Sequence, residues 1–479
     1  MEIQAAIGDL GGAAGDVELL GGTFSISDTI LVARYVTLEG VGYETVLYLV
    51  DDSNCDVVSN LGGTSSWKSN VTIRNLRIDG NKEHQSAGSG ISRSGYHALY
   101  ENLWVENCYK RGISHNWGDY TRIVNNVVRD CDGRGVFLGE TYEGEIVGNL
   151  IENCGITPGG QETGNEDRAI SIYHGGNNRI SDNHISGGGY NRQIGAWDSP
   201  YVEIRDNTLQ DGLFMGIAPH SQYATIIGNT ITGCGENAID LCGEDDCWVE
   251  GNFISGVMGG NENSGICMNT SRTTAVDNYI EFCGRAGIHL GNCIDHRDNY
   301  ILNNTIRNCG QDGNGVAGIW LQSYTGNVLS GTVIKENTCF DDQETPTQHY
   351  GVLLSASEGC SIDDVIIEDN YLQNNGTCGI EIWGESNILN LTIRSNAGYI
   401  TENSGTATIA SGSTSVAIDH GLDVALSDGD VVAVPTTPLG NATEFWAGDY
   451  TSTRFILYVD SDPGQDIEFT WDAEYHWPW

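Results

Sequence analysis

The amino-acid sequence predicts an all-β chain: a long solenoid of short strands followed by a small β-sandwich. The first observation is a repeated phrase: Asn, any residue, an aliphatic residue, two or three polar residues, then Cys or Gly. It recurs at Asn126, Asn149, Asn183, Asn207, Asn229, Asn252, Asn278, Asn304, Asn337, Asn370 and Asn396. Most steps are 22 to 26 residues and three are 33 or 34. The second is the strand signal. Aliphatic runs are short and alternate with period 2, and no stretch of ten or more residues has helical periodicity. The third is the end of the rhythm at 397–405, beyond which strands alternate between Gly, Asp and Ser turns.

Residues 1–60 read as an N-terminal cap with the first coils. "IQAAI" forms a short amphipathic helix over the open end. The stretch "GDVELLGGTFSISDTILVARYVTLEGVGYETVLYL" then alternates apolar and polar residues between glycines, which means strands. "VTIRNLRIDGN" (Val71 to Asn81) reads as the first full coil, and coils continue over 61–402. Each coil would set its repeat Asn over the previous one, about 4.8 Å away, so that buried amides bond up and down the stack. The longer steps imply surface loops of roughly ten extra residues. Five residues after the repeat Asn, or its equivalent, come Cys108, Cys131, Cys154, Cys234, Cys283 and Cys309. That spacing predicts an inward stack of unpaired thiols. Cys242 and Cys247 are close enough to bridge, and no CxxC with metal spacing occurs, so no zinc site is expected. Residues 403–479 form the C-terminal β-sandwich, and "YHWPW" leaves Trp477 and Trp479 for a subunit contact or a sugar-stacking patch.

This rhythm resembles the right-handed parallel β-helix family of pectate lyases, alginate epimerases and viral tailspikes. The opening "GGTFSI…VTLEGVGYETVL" carries the likeness for the pectate-lyase-like fold. "TSVAIDHGL", "LGNATEFWAGDYTSTRFILYV" and "PGQDIEFTW" resemble a sandwich module that follows viral and environmental β-helices. That resemblance implies a homotrimer. The tailspike likeness has one departure: no particle-anchoring domain precedes the cap. The alginate-epimerase signature Tyr-Gly-Phe-Asp-Pro-His and the nonapeptide Ca²⁺-binding β-roll repeat are both missing.

Charge narrows the partners. The formal net charge is −43, from 65 acidic and 22 basic residues. Four of the basic residues are Lys (Lys68, Lys82, Lys110, Lys335). Acid excess with few lysines resembles the haloarchaeal bias; an ordinary acidic secreted protein is the alternative. Nucleic acid is excluded as a partner, because phosphate binding needs concentrated positive charge. No apolar run of 18 residues allows membrane insertion, and "MEIQAAIGDLGG" carries no secretory signal. The expected location is extracellular or on a virion.

Chemistry is sought on one sheet face. Each coil is indexed by an inward aliphatic residue: Ile113, Val136, Ile170, Ile194, Ile217, Ile239, Ile266, Ile288, Ile319, Val352, Ile380. Positions one and three later point outward. Two before the index come Arg111, Arg134, Arg168 and Arg192, four like charges on successive coils. Such a ladder repels itself unless an anion lies beside it. An acidic polysaccharide would suit the guanidinium fork; Asp130, Asp132, Glu166 and Asp167 are the structural alternative. Trp197, His289 and Trp320 supply rings for sugar faces. Three mechanisms compete. A uronan lyase or C5-epimerase would use Tyr173 or His220 beside Arg168 and Arg192. His115 is a further candidate that alternation points inward. A hydrolase would pair Asp198 with Asp240, roughly 10 Å apart on two-coil spacing. The third option is binding without catalysis. No cofactor is required, although "GEDDC" (Gly243 to Cys247) and "FDDQE" (Phe340 to Glu344) are acidic enough for Ca²⁺. The expected functions are therefore a tailspike-like receptor-binding protein of a halophilic-host virus that engages surface polysaccharide, a free polysaccharide lyase, epimerase or hydrolase, or a structural virion protein.

Overall fold

The computed structural model describes every residue except 1, 61–69, 157–167, 244, 260–262, 292–294, 314–315, 325 and 478–479. One coil shows how the chain is built. Ile113–Asn116 is a strand of the index sheet; the chain turns into Arg122–Val124, bends at Asn125 and Asn126, runs on as Val127–Arg129, and returns to the index sheet at Val136–Tyr142. Stacking such coils gives a 14-stranded parallel index sheet and a 28-stranded parallel sheet holding the other two strand columns.

All eleven markers meet in one register, Ile113 on Val136, Val136 on Ile170, and so on to Val352 on Ile380. Each is buried. The repeat Asn column forms the inner seam of the bend between the other two columns. The backbone N–H and Nδ2 of each Asn both donate to Oδ1 of the next, as in Asn126 to Asn149 at 2.9 Å and Asn207 to Asn229 at 3.0 Å. Nδ2 also donates to a carbonyl of the preceding coil, Ile204 for Asn229. The residue before the Asn is left-handed, at Asn125 (φ 57°), Asp182 (φ 58°), Gly228 (φ 63°) and Asp277 (φ 57°). That conformation favours Gly, Asn and Asp, which is why the repeat so often begins with one of them.

Coils begin earlier than Val71. Gly15–Leu19 already pairs with Val36–Gly40, which pairs with the strand from Thr72, so the segment before Val71 holds two complete coils. They carry neither the Asn nor the Cys of the later phrase, and their steps of 21 and 35 residues fall outside its usual spacing. Helix Glu2–Asp9 closes the N-terminal end with Ile3 and Ile7 inward, and Gln4 pairs with both backbone groups of Leu31. The thiol column is buried and free of disulfides, and its sulfurs donate to backbone carbonyls, as Cys131 does to Arg129 at 3.4 Å and Cys154 to Glu152 at 3.3 Å. Cys242 and Cys247 do not bridge: Cys247 faces the core while Cys242 lies on the exposed side of its corner.

Two three-stranded antiparallel sheets follow, from 402 to 474. They share one core of Ile409, Ile418, Phe455, Leu457, Phe469 and Trp471, which makes the module a sandwich. Trp477 leaves it to pack on the last coil, its Nε1 donating to the Ile388 carbonyl at 3.2 Å, so this ring is not a free stacking patch. Trp479 lies outside the described residues. No helix among the described residues is long and apolar enough to cross a membrane.

Candidate functional site

The outward side of the index sheet is not one uniform wall. The arginines of the ladder fold back across their own strands. Arg111 donates to the Ser114 hydroxyl at 3.0 Å, and its guanidinium sits 4.1 Å from the Phe137 ring. Arg134 covers the same ring at 4.6 Å and is only 3% exposed. Phe137 is thus clasped between two guanidiniums, a contact that holds the wall together rather than facing a ligand. Arg168 donates to Ser171 at 3.2 Å and lies flat over Gly195, where an added β-carbon would meet its Cδ at 2.8 Å. It is 4% exposed. Three of the four ladder positions are therefore packed. Glu166 and Asp167 lie outside the described residues.

Arg192 differs. It pairs in register with Arg168, is half-buried, and has no ion pair among the described residues. Its Nε is covered and without a hydrogen-bond partner. Burial lowers its pKa, partly offset by the Asp240 carboxylate. Most other arginines are spent on carboxylates, as Arg129 is on Glu106 and Arg307 on Glu281. Arg192 has no carboxylate at salt-bridge distance among the described residues, although Asp240 and Glu236 lie near enough to act on its charge.

Five residues further along the same strands, about 16 Å between Cα atoms, runs the outward row of Tyr173, Trp197 and His220, stacked in register. The Trp197 ring lies 4.7 Å from His220 at 41°, and Trp197 is 43% exposed. Burial, then the Arg192 and Arg168 charges, hold His220 at about 4, so its imidazole is neutral near pH 7. Its Nε2 is covered and unpartnered. Asp198 sits one residue past Trp197 and accepts from His174 Nδ1 at 2.8 Å. Sequence reasoning passed over His174, although its register against Asp198 follows from that of Tyr173 against Trp197.

Several expected site residues take other places. Asp240 is buried on the far side of Arg192, not open to a substrate. It stands two coils and three residues from Asp198, about 14 Å between Cα atoms. The earlier figure counted only the coil step. An inverting pair needs roughly 6.5–9.5 Å between carboxyls. His289 and Trp320 stack at 4.8 Å under Arg285 and are 5% and 8% exposed. They close a small apolar cluster with Ala286, Val316 and Leu353, so they are not a sugar platform. His115 lies in the core, accepts or donates with Tyr100 at 2.9 Å, and is held at about 3 by burial. The acidic runs have other partners. Asp245 and Asp246 bind Arg272, and Asp341 accepts from the Thr347 and Gln348 backbone; Glu244 lies outside the described residues. No metal-ligand cluster occurs among the described residues.

Known proteins give the context. The family described as the right handed beta helix region matches residues 27–209 and 215–397. An Aspergillus terreus protein named "Probable pectate lyase C" is 28% identical over 120 residues, 25% of this chain and 27% of its own length. The chain thus spans about a quarter of that relative. A mutant tailspike protein of E. coli bacteriophage HK620, solved with a pentasaccharide, has a TM-score of 0.62 at 11% identity over 99% of this chain and 89% of its own. The A-module of an Azotobacter vinelandii mannuronan C-5 epimerase reaches 0.37 at 17% identity, over 83% of this chain and 94% of its own. The tailspike likeness, at 11% identity, speaks to the fold alone.

Proposed function

Because the chain belongs to the right-handed β-helix family, we propose that it is a tailspike-like protein that binds acidic surface polysaccharide across Arg192, Trp197 and His220. Arg192 carries the reading: it is a half-buried guanidinium with no ion pair among the described residues, its charge felt by His220, on the same strand as the exposed Trp197 indole. A uronate carboxylate matches its fork, and the sugar's C–H face matches Trp197. Likeness in fold to a glycan-bound tailspike over nearly the whole chain supports the same reading.

Binding suits this geometry better than catalysis. Asp240 is buried and Asp198 is held by His174, so the two do not form an open acid–base pair, and Tyr173 and His220 are two coils apart with Trp197 between them. His220 is neutral enough to serve as a base, but its Nε2 is covered. A lyase or epimerase is the second reading, and it requires Trp197 to swing aside. A homotrimer joined through the sandwich, a virion location and a halophilic host complete the proposal; light scattering with increasing salt tests the trimer. Alginate, pectate and extracted envelope glycan should bind without change in chain length. New absorbance near 235 nm would turn the reading to β-elimination, and polymer binding that survives Arg192→Ala would end it.

A further inference from the structure

A second feature lies on the corner between the index sheet and the next strand column. Two residues before each strand of that column, the chain takes a left-handed backbone: His97 φ 55°, Tyr120 φ 60°, Glu143 φ 55°, Asn177 φ 53°, Tyr201 φ 61°, Tyr223 φ 59°. Aromatic residues are disfavoured in that conformation, yet this column uses four. They stack in pairs: His97 on Tyr120 at 5.0 Å and 6°, Tyr201 on Tyr223 at 4.8 Å and 7°. Tyr120, Tyr201 and Tyr223 are all exposed.

Between the pairs the corner carries Glu143 and Asn177 instead of rings. A cleft of about 610 Å³ opens there, lined by Tyr120, Arg122, Glu145, Arg179 and Glu203 among others. Three coil steps separate Tyr120 from Tyr201, about 14 Å. The floor is charge-compensated: Arg122 and Arg179 both pair with Glu145, at 2.8 and 3.0 Å. It offers donors and acceptors side by side.

We infer that this corner binds an uncharged linear glycan lying along the solenoid axis, with the aromatic pairs at its two ends. The tyrosines present faces for sugar C–H surfaces, and the Arg–Glu floor takes ring hydroxyls. A polyuronate is disfavoured, because both floor arginines are already paired with Glu145 and Glu143 repels its carboxylates. The site is separate from Arg192 and does not depend on the acidic-polysaccharide reading.

The test is calorimetric titration of the full chain with neutral hexasaccharides of β-1,4-glucose, β-1,3-glucose, β-1,4-mannose and α-1,6-glucose. At least one should bind, and Arg192→Ala should leave that affinity unchanged. Tyr120→Asn and Tyr201→Asn remove a ring while suiting the left-handed backbone, so both should fold, with melting temperatures recorded alongside. Each should weaken binding by about tenfold. Arg179→Gln, away from both rings, should weaken it too. No binding by any of the four sugars, or binding that survives all three corner substitutions, overturns the inference.

Discussion

Replacing Asn229 tests the amide column at its centre. In Asn229→Ala, Oδ1 no longer accepts from the Asn207 backbone N–H and Nδ2, both at 3.0 Å. The Ile204 carbonyl loses its Nδ2 donor at 2.9 Å, and Asn252 Oδ1 loses one at 3.0 Å. Asn207 keeps Ile180 for its side chain, and Ile204 keeps its place in the ladder with the Thr225–Ile227 strand, so the group left bare is the Asn207 backbone N–H. At roughly 1–3 kcal/mol for a buried orphan, the cost is about 1–3 kcal/mol. Urea unfolding at constant slope measures it. Asn229→Asp separates hydrogen bonding from shape. The acid keeps one oxygen as acceptor, but where the amide donated it needs a proton, so its folded pKa rises above the unfolded ~3.9. Between those values the folded state holds more protons, and stability falls as pH rises. A cost under about 1 kcal/mol for Ala, with no pH dependence for Asp, would refute the view that the column is a chain of obligatory hydrogen bonds.

Arg192→Ala should abolish polyuronate binding with little change in melting temperature, whereas Arg134→Ala should destabilise the fold by ~1–2 kcal/mol through loss of the Phe137 clasp. Differential scanning calorimetry and a binding isotherm on both variants check the split. Burial depresses His289 and His220 to about 4 and His115 to about 3, from 6.5. The unfolded chain therefore binds more protons in that window, and stability should fall as pH drops from about 6.5 toward 4; His289→Gln should flatten the curve. Glu336 is left-handed at φ 59° where every other coil of the column but the last, with Ser395, uses Gly, Asn or Asp, so Glu336→Gly should stabilise by about 1 kcal/mol in urea unfolding.

Asn and the aliphatic markers were legible because their partners are copies of themselves one coil away. A column whose members meet in register announces itself as a period. The arginine column was equally periodic, yet its meaning was not. Whether a guanidinium reaches solvent or folds onto Ser114 or Phe137 depends on side-chain direction, which spacing does not carry. Trp320 and His289 were misread for the same reason: alternation points them away from the core, but Arg285 and neighbouring coils cover them. The Asp198 and Asp240 separation failed on a simpler point, since distance along the strand adds to the coil step. The early coils, placed in 1–60, were not read as complete ones because they contain neither the Asn nor the Cys of the later phrase.

The column of sulfur atoms gives this molecule a gauge of its own opening. The sulfurs are closed off from solvent, and burial pushes Cys234 up to about 12 and Cys154 well above the ordinary thiol range, as the neighbouring Cys131 thiol and burial do for Cys108, so folded coils resist alkylation. A coil that frays exposes its own sulfur before those of its neighbours. Brief iodoacetamide pulses read by peptide mass would then rank the coils by how readily each lets go, and show from which end the stack unwinds.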